Sequence, residues 1–394
     1  MTNKSYHHSR LQLVATFWIL LCSASFLVYS INNPIVEWDM LAYAASAETI
    51  HGASPEEVHT RAYAQLKDRA TAAEYERITN GNHYRQVMHE DAQAFNEQLP
   101  YYSIRVTFNS LLAQLNKLGV DIYDAGYWVT ASAFVLTLLV LWGSLNNRVH
   151  PVLQMIFPLM FFKYSMDLDV VRQILADSLS SVWVVFICIA YLRETRLLLP
   201  LIALSVFVRV DLMIFSVLFL LLLFATSERK KYIEFFVCGA FLVLFYMLVQ
   251  KWAGSYGWKT LYYFAILNDM MPTHPSQYGS IGFTFSDYLS SLVDPSRWIS
   301  SMYWVTAAIS TVTLLVWKSA NLDEGNKRVC RVSAVCLLYI VAHYFVFPHM
   351  YLRFFVGQNM MIFACFSVLS THYWHVFVDD RRRGVRLPGM RVID

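Results

Sequence analysis

Apolar segments approaching 20 residues recur along most of this chain, and that recurrence constrains its fold more than any single motif. A bilayer core of about 30 Å needs roughly 20 apolar residues per spanning helix. Inside hydrocarbon each backbone N–H and C=O must be satisfied within the segment, which a helix achieves. The balance of 57% hydrophobic to 15% charged residues, with a mean hydropathy of +0.40, agrees with an integral membrane protein.

The expectation is an all-α polytopic membrane protein, one transmembrane domain over 1–394, with about ten spans. They fall near 11–31, 127–145, 151–164, 172–192, 197–209, 211–226, 232–250, 299–317, 329–346 and 354–372. The first run, Leu11 to Ile31, exceeds a signal-peptide h-region and lacks a small-residue cleavage site after it, so it reads as a retained anchor. With the N-terminus inside, Arg148, Arg193, Arg196, Arg229, Lys231, Lys318, Lys327, Arg328 and the tail over 373–394 with Arg381, Arg382 and Arg383 are cytoplasmic, following the positive-inside bias. The net charge of +3 is dispersed among loops, which argues against a nucleic-acid partner. All six cysteines lie in apolar segments, so neither a disulfide framework nor a Cys-x-x-Cys metal motif is suggested.

Leu197 to Thr226 reads either as one long helix with Arg209 and Asp211 near its middle or as a hairpin with those charges at its external tip. The hairpin keeps them out of mid-bilayer and is preferred.

Two external loops follow from this layout, 32–126 and 251–298. In the first, Asp39 is expected to cap a short helix ending near Gly52, and Ser54-Pro55-Glu56-Glu57 reads as a capping box opening a helix to about Ile78. Between Tyr101 and Leu118, Ile104, Phe108, Leu111, Leu112, Leu115 and Leu118 recur at helical spacing, a pattern suited to lying at the membrane surface. The second loop is aromatic-rich, which suits either a sugar platform or interfacial anchoring.

Ionisable residues from distant stretches share the external face: Glu37 and Asp39, then Lys163, Asp167, Asp169 and Arg172, then Arg209 and Asp211, then His349 and Arg353. Paired carboxylates suit a general base or ligands for a divalent metal such as Mg or Mn, and arginines suit a phosphate or diphosphate leaving group. Each also has a structural explanation. Asp39 would serve as a helix cap, Arg353 as a snorkelling arginine, Arg209 with Asp211 as a salt bridge, and Arg172 as a partner of Asp167 or Asp169.

At these residues the chain resembles the GT-C superfamily of polyprenyl-phosphate-sugar glycosyltransferases. The acidic motif would be Glu37-Trp38-Asp39. Leu99-Pro100-Tyr101-Tyr102, Arg209-Val210-Asp211 and Pro348-His349-Met350-Tyr351-Leu352-Arg353-Phe354 look like further segments of that family. The resemblance implies a glycosyltransferase at the periplasmic face of a bacterial inner membrane, acting on a glycan, lipid or protein acceptor. Asp39 would be the base, Glu37 a second carboxylate or metal ligand, and Arg353, Arg209, Arg172 and His349 the donor-phosphate ligands. Tyr101, Tyr102, Asp211 and Lys163 would contact substrate. Val171-Arg172-Gln173-Ile174-Leu175-Ala176 instead looks like a stretch of EpsG- or Wzy-type polysaccharide polymerases, which makes such a polymerase the alternative. From another class, a lipid-linked glycan flippase or transporter is the rival, although the paired repeats usual in transporters are not evident.

Overall fold

The computed structural model describes residues 2–164, 169–268, 271–278, 281–293, 301–319, 322–348 and 351–382. Among the described residues the regular structure is helical throughout, with no strand. After α1 (Thr2–Asn32), the chain forms seven helices: α2 (Trp38–Thr49), α3 (Pro55–Arg69), α4 (Ala72–Asn80), α5 (His83–Glu90), α6 (Ala92–Gln98), α7 (Pro100–Ser103) and α8 (Val106–Lys117). A bundle follows, made of α9 (Ile122–Leu145), α10 (Pro151–Tyr164), α11 (Asp169–Arg172), α12 (Asp177–Leu192), α13 (Leu198–Val208), α14 (Leu212–Thr226) and α15 (Tyr232–Trp252). Then come the short α16 (Gly257–Tyr262) and α17 (Phe285–Leu292), and finally α18 (Ser301–Ser319), α19 (Glu324–Val346) and α20 (Val356–Arg382).

Among the described residues, five segments are long and apolar enough to cross a membrane: Arg10–Asn32, Ile122–Leu145, Tyr232–Trp252, Glu324–Val346 and Leu352–Val376. Others among the expected spans are shorter apolar helices, including α12, α13 and α14. The α13 helix has 11 residues, about 16 Å at 1.5 Å per residue, which falls well short of the hydrocarbon thickness.

Two hydrophobic cores organise the molecule, and α9 belongs to both. Its first turns place Ile122, Tyr123, Ala125 and Tyr127 among the helices α2 to α8, while Phe134, Leu138, Leu141 and Leu145 enter the bundle core. The loop unit is therefore joined to the bundle through α9. Leu352–Val376 is the central segment of the bundle, with 83% of its apolar window buried, against 17% for Arg10–Asn32 at the periphery.

Within the loop unit the capping box at Ser54 and Glu57 forms as expected. The helix does not continue to Ile78. Ala70 leaves helical geometry (φ −80°, ψ 144°), and Thr71 with Glu74 makes a second capping box that opens α4. Two competing start signals so close together break the helix between them. The apolar face of α8 is also spent differently from the expectation of a surface helix: Phe108, Leu112 and Ala113 are buried in the loop-unit core, and Leu111 and Leu118 are left exposed.

The described part of the 251–298 segment docks onto this unit. Gln98 Nε2 donates to the carbonyl oxygens of Pro272 and Thr273 at 2.9 and 3.2 Å, and Ser276 Oγ donates to Glu97 at 2.6 Å. The aromatic residues of the segment make a small core of their own, with buried Tyr262 stacked on Phe283 at 5.0 Å.

The α13 and α14 helices fold back on one another, since Ser205 Oγ meets Ser216 Oγ at 2.7 Å across the break at 209–211. The hairpin forms, but its tip is not exposed: Arg209 is buried, and Thr107 of α8 donates to the Phe207 carbonyl at 3.0 Å beside it.

Close approach of α20 to α12 depends on Gly357. A Cβ there would lie 2.8 Å from both the Cα and the carbonyl oxygen of Ser181. Gly357→Val is expected to push the helices apart, to cost about 1–3 kcal/mol, and to dislodge Arg353 one turn earlier. Thermal unfolding of the purified protein measures it, and an unchanged melting temperature would contradict this packing.

Candidate active site

The segment Pro34 to Glu37 is extended and its backbone is held at three points. Ile35 N donates to the Arg172 carbonyl at 2.9 Å, Tyr127 Oη donates to the Ile35 carbonyl at 3.1 Å, and an Arg77 guanidinium N–H donates to the Val36 carbonyl at 2.6 Å. This fixes where α2 begins. Glu37, not Asp39, is the N-cap residue, and it makes no side-chain cap bond. Asp39 is the second residue of the helix, with its carboxylate bonded to Tyr102 and Arg353. In the first turn it still gains from the N-terminal dipole.

Asp39 is the outer end of a string of alternating charges that runs into the bundle. Tyr102 Oη donates to Asp39 Oδ1 at 3.0 Å, and an Arg353 guanidinium N–H donates to Asp39 Oδ2 at 3.4 Å. Arg353 Nε lies 3.7 Å from Asp177, whose other oxygen binds Arg209. Arg209 Nε is 2.8 Å from Asp211, and Asp211 in turn accepts from Tyr339 Oη at 2.9 Å and lies 3.3 Å from His343 Nε2. The Phe354 ring is close to both guanidinium groups, 4.5 Å from that of Arg209 and 5.5 Å from that of Arg353. Each charge faces one of opposite sign, as buried charge requires.

The arginines differ in how firmly they are held. Arg209 is locked between Asp177 and Asp211 and is 6% exposed, whereas Arg353 keeps long contacts and its Nε has no hydrogen-bond partner. Arg353 is therefore the less firmly held of the two, and of the two it is the one that lines the cavity above the string. Burial pushes the Tyr43 hydroxyl up to about 12 and raises Tyr102 well above the ordinary phenol range, the latter reinforced by the Asp39 charge. Both phenols stay protonated at neutral pH, so Tyr102 is a donor to Asp39.

Above this string opens a cavity of about 450 Å³. Glu37, Trp38 and Asp39 form one part of its lining, and Tyr84 and Arg85 from α5 another. Arg353 and Gln173 also line it. Arg85 itself donates to the Arg77 carbonyl at 2.7 Å, and Trp38 packs edge-on against Tyr84 at 5.6 Å.

The structure thus brings together Asp39, Tyr102, Arg353, Arg209 and Asp211, with Glu37 at the cavity wall. Arg209 and Asp211 lie behind the cavity without lining it, so a direct ligand role for them is not supported by their placement. Arg172 is elsewhere: its Nε donates to the Asn33 carbonyl at 2.6 Å and it pairs with Asp169 at 3.1 Å, bracing the end of α1. Tyr101 packs against Tyr256 at 5.4 Å with its hydroxyl buried, and Lys163 is exposed in the last turn of α10. His349 lies outside the described residues.

The two carboxylates of the acidic motif do not assemble into a metal-ligand set. Both Glu37 oxygens lie 3.1 Å from Arg77, Asp39 is held by Tyr102 and Arg353, and among the described residues no three His, Cys, Asp or Glu side chains converge.

Asp177 is one residue that sequence reasoning missed. Its signal was present, because a carboxylate within an expected span, 172–192, needs a partner. Arg85 and Tyr84 on α5 also line the cavity, and no local pattern in the sequence marks them. The chain matches no protein-family model, no curated protein and no solved structure.

Proposed function

We propose that this chain is a membrane glycosyltransferase that takes a sugar from a polyprenyl-phosphate donor, with Asp39 as the base and Arg353 as the phosphate ligand. The observation that carries this reading is a carboxylate and a loosely held guanidinium 3.4 Å apart beneath a polar cavity of about 450 Å³, where a loop unit meets an apolar bundle. A polar headgroup would enter the cavity while its lipid tail stays with the bundle.

Asp39 takes the proton of an acceptor hydroxyl as that oxygen bonds to the anomeric carbon. The bond from that carbon to the phosphate oxygen breaks, and its electron pair leaves on the phosphate. Arg353 and Arg85 neutralise the departing charge through N–H donors suited to phosphate oxygens. Trp38 offers an aromatic face for the sugar. Arg209 and Asp177 position Arg353, and Glu37 holds the lip through Arg77.

The ten-span topology and the periplasmic placement in a bacterial inner membrane belong to the same reading. Supporting them, Arg193 and Arg196 follow the end of α12 opposite Asp177, as the positive-inside bias would have it. The acceptor is a glycan, lipid or protein.

One observation favours the polymerase alternative: Gln173, from the stretch shared in appearance with polysaccharide polymerases, lines the cavity. Purified protein in detergent, offered labelled sugars on polyprenyl monophosphate and on diphosphate with extracts as acceptor, separates the two. Turnover of a monophosphate donor is expected. Turnover of diphosphate-linked glycans alone would establish the polymerase, and no turnover by folded protein would sink both in favour of a flippase.

A further inference from the structure

The α17 helix divides its surface three ways. By helical periodicity Phe285, Leu289 and, just past its end, Val293 fall on one arc, Ser286, Asp287 and Ser290 on the next, and Tyr288, Ser291 and Leu292 on the third. The third arc is the docked one: Ser291 and Leu292 are buried, and Tyr288 Oη donates to the Phe345 carbonyl at 2.6 Å. The other two arcs are exposed. Phe285 leans on Tyr288 of its own helix at 6.1 Å and is still 73% exposed, and Val293 is 72% exposed. A helix surrounded by water on those two arcs would carry polar residues on both.

The place where α17 docks shows what its apolar arc meets. The α19 segment is able to cross a membrane, and its 23 residues measure about 34 Å at 1.5 Å per residue, against a hydrocarbon core of about 30 Å. Its Glu324, Lys327, Arg328 and Arg331 all lie near its start, so the bilayer boundary at its other end falls near Val346. Leu338, Val341 and Phe345, at helical spacing, form an exposed apolar stripe that runs to that end. There the Phe345 carbonyl receives Tyr288, the Val346 carbonyl receives Trp258 Nε1 at 2.8 Å, and Tyr344 Oη donates to the Leu292 carbonyl at 2.6 Å. The α17 helix is thus fastened at the boundary end of the surface that α19 would turn to acyl chains. Trp and Tyr are the residues that gather at such a boundary.

An apolar arc beside a polar one suits a helix with hydrocarbon on one side and headgroups on the other. Three side chains on two turns are too few for a lasting protein interface, which buries about 1,200–2,000 Å². The helix carries no Lys or Arg, so its insertion is apolar and indifferent to headgroup charge.

We propose that α17 lies in the bilayer surface at the C-terminal end of α19, with Phe285, Leu289 and Val293 among acyl chains and Ser286, Asp287 and Ser290 among headgroups and water. This placement needs the bundle to cross a membrane and is independent of the transfer reaction. It gives the 251–298 segment two anchors, the bilayer through α17 and the loop unit through Gln98 and Glu97.

Power-saturation EPR of the nitroxide-labelled full chain in phosphatidylcholine nanodiscs tests it. Single cysteines are introduced by Phe285→Cys, Leu289→Cys, Ser286→Cys and Ser290→Cys in a Cys22→Ser chain, whose other cysteines are buried. Oxygen, which partitions into hydrocarbon, and a water-soluble nickel chelate report where each label sits. Labels at 285 and 289 are expected about 5–10 Å below the headgroup surface and those at 286 and 290 at or above it, equally in discs that contain phosphatidylglycerol. Circular dichroism verifies that the variants fold. Nickel access at all four positions puts α17 in water and overturns the placement. Shielding of 285 and 289 from both reagents means that protein covers the arc, which overturns it too, as does insertion only with anionic lipid. A Leu338→Cys label separates this from the membrane reading: oxygen contact there beside a water-exposed α17 removes the placement alone, and nickel access there removes both.

Discussion

Asp39→Asn is expected to lower kcat for sugar transfer by about 10²–10⁴-fold while the protein stays folded. Asparagine fills the same space and its carbonyl oxygen still accepts from Tyr102, now 3.0 Å from Asp39 Oδ1. What it lacks is the ability to take a proton from the acceptor. The Asp39–Arg353 contact is long and both side chains are partly exposed, at 31% and 26%, so losing it should cost about 1 kcal/mol or less. Donor KM should change little, because Arg353 keeps Asp177 behind it and is freed from one competing anion. Steady-state kinetics together with a melting temperature separate these effects. A variant within tenfold of native turnover would remove Asp39 as the base, and a collapse of the melting temperature would make its role structural.

Much of the architecture is legible in the sequence because it rests on local signals. Apolar run length locates the long helices, and Ser54-x-x-Glu57 announces a start that the structure contains. Thr71-x-x-Glu74 carries the same signal, and reading it would have ended α3 where it ends. The break at Arg209-Val210-Asp211 follows from the cost of charge in an apolar run, and a hairpin forms there. Its environment does not follow, since whether a hairpin tip meets water depends on what packs over it.

The site is legible in residue type and not in arrangement. Asp39 and Arg353 are 314 positions apart and Arg209 and Asp177 are 32 apart, so no periodicity links them. Arginines look alike in a sequence, and only packing distinguishes one loosely held from one locked between two carboxylates. Arg172 shows the same limit. Its pairing with Asp169 is local and foreseeable, but its bond to the Asn33 carbonyl, which turns it into a brace for α1, depends on how α1 meets α11.

Asp177→Ala should be the most destabilising substitution in the string, costing about 3–5 kcal/mol, the range for removing one member of a buried ion pair. Asp177 is 6% exposed and serves two guanidinium groups, so its loss leaves Arg209 with Asp211 alone and Arg353 with Asp39 alone. Two cations close to the same Phe354 ring would then have lost the anion they share. Arg209→Ala should cost less, because Asp177 keeps Arg353 and Asp211 keeps Tyr339 and His343. The double variant should cost less than the sum by about 0.5–3 kcal/mol, because the pair acts as a unit. Unfolding of the three variants in one detergent measures the coupling, and strict additivity would mean that the contact contributes nothing. Asp177→Asn, which keeps the shape and an acceptor, separates stability from function. With the fold retained and Arg353 less firmly placed, donor KM should rise more than kcat falls, the pattern of a residue that positions a phosphate ligand. A fall in kcat alone would instead put Asp177 in the chemistry.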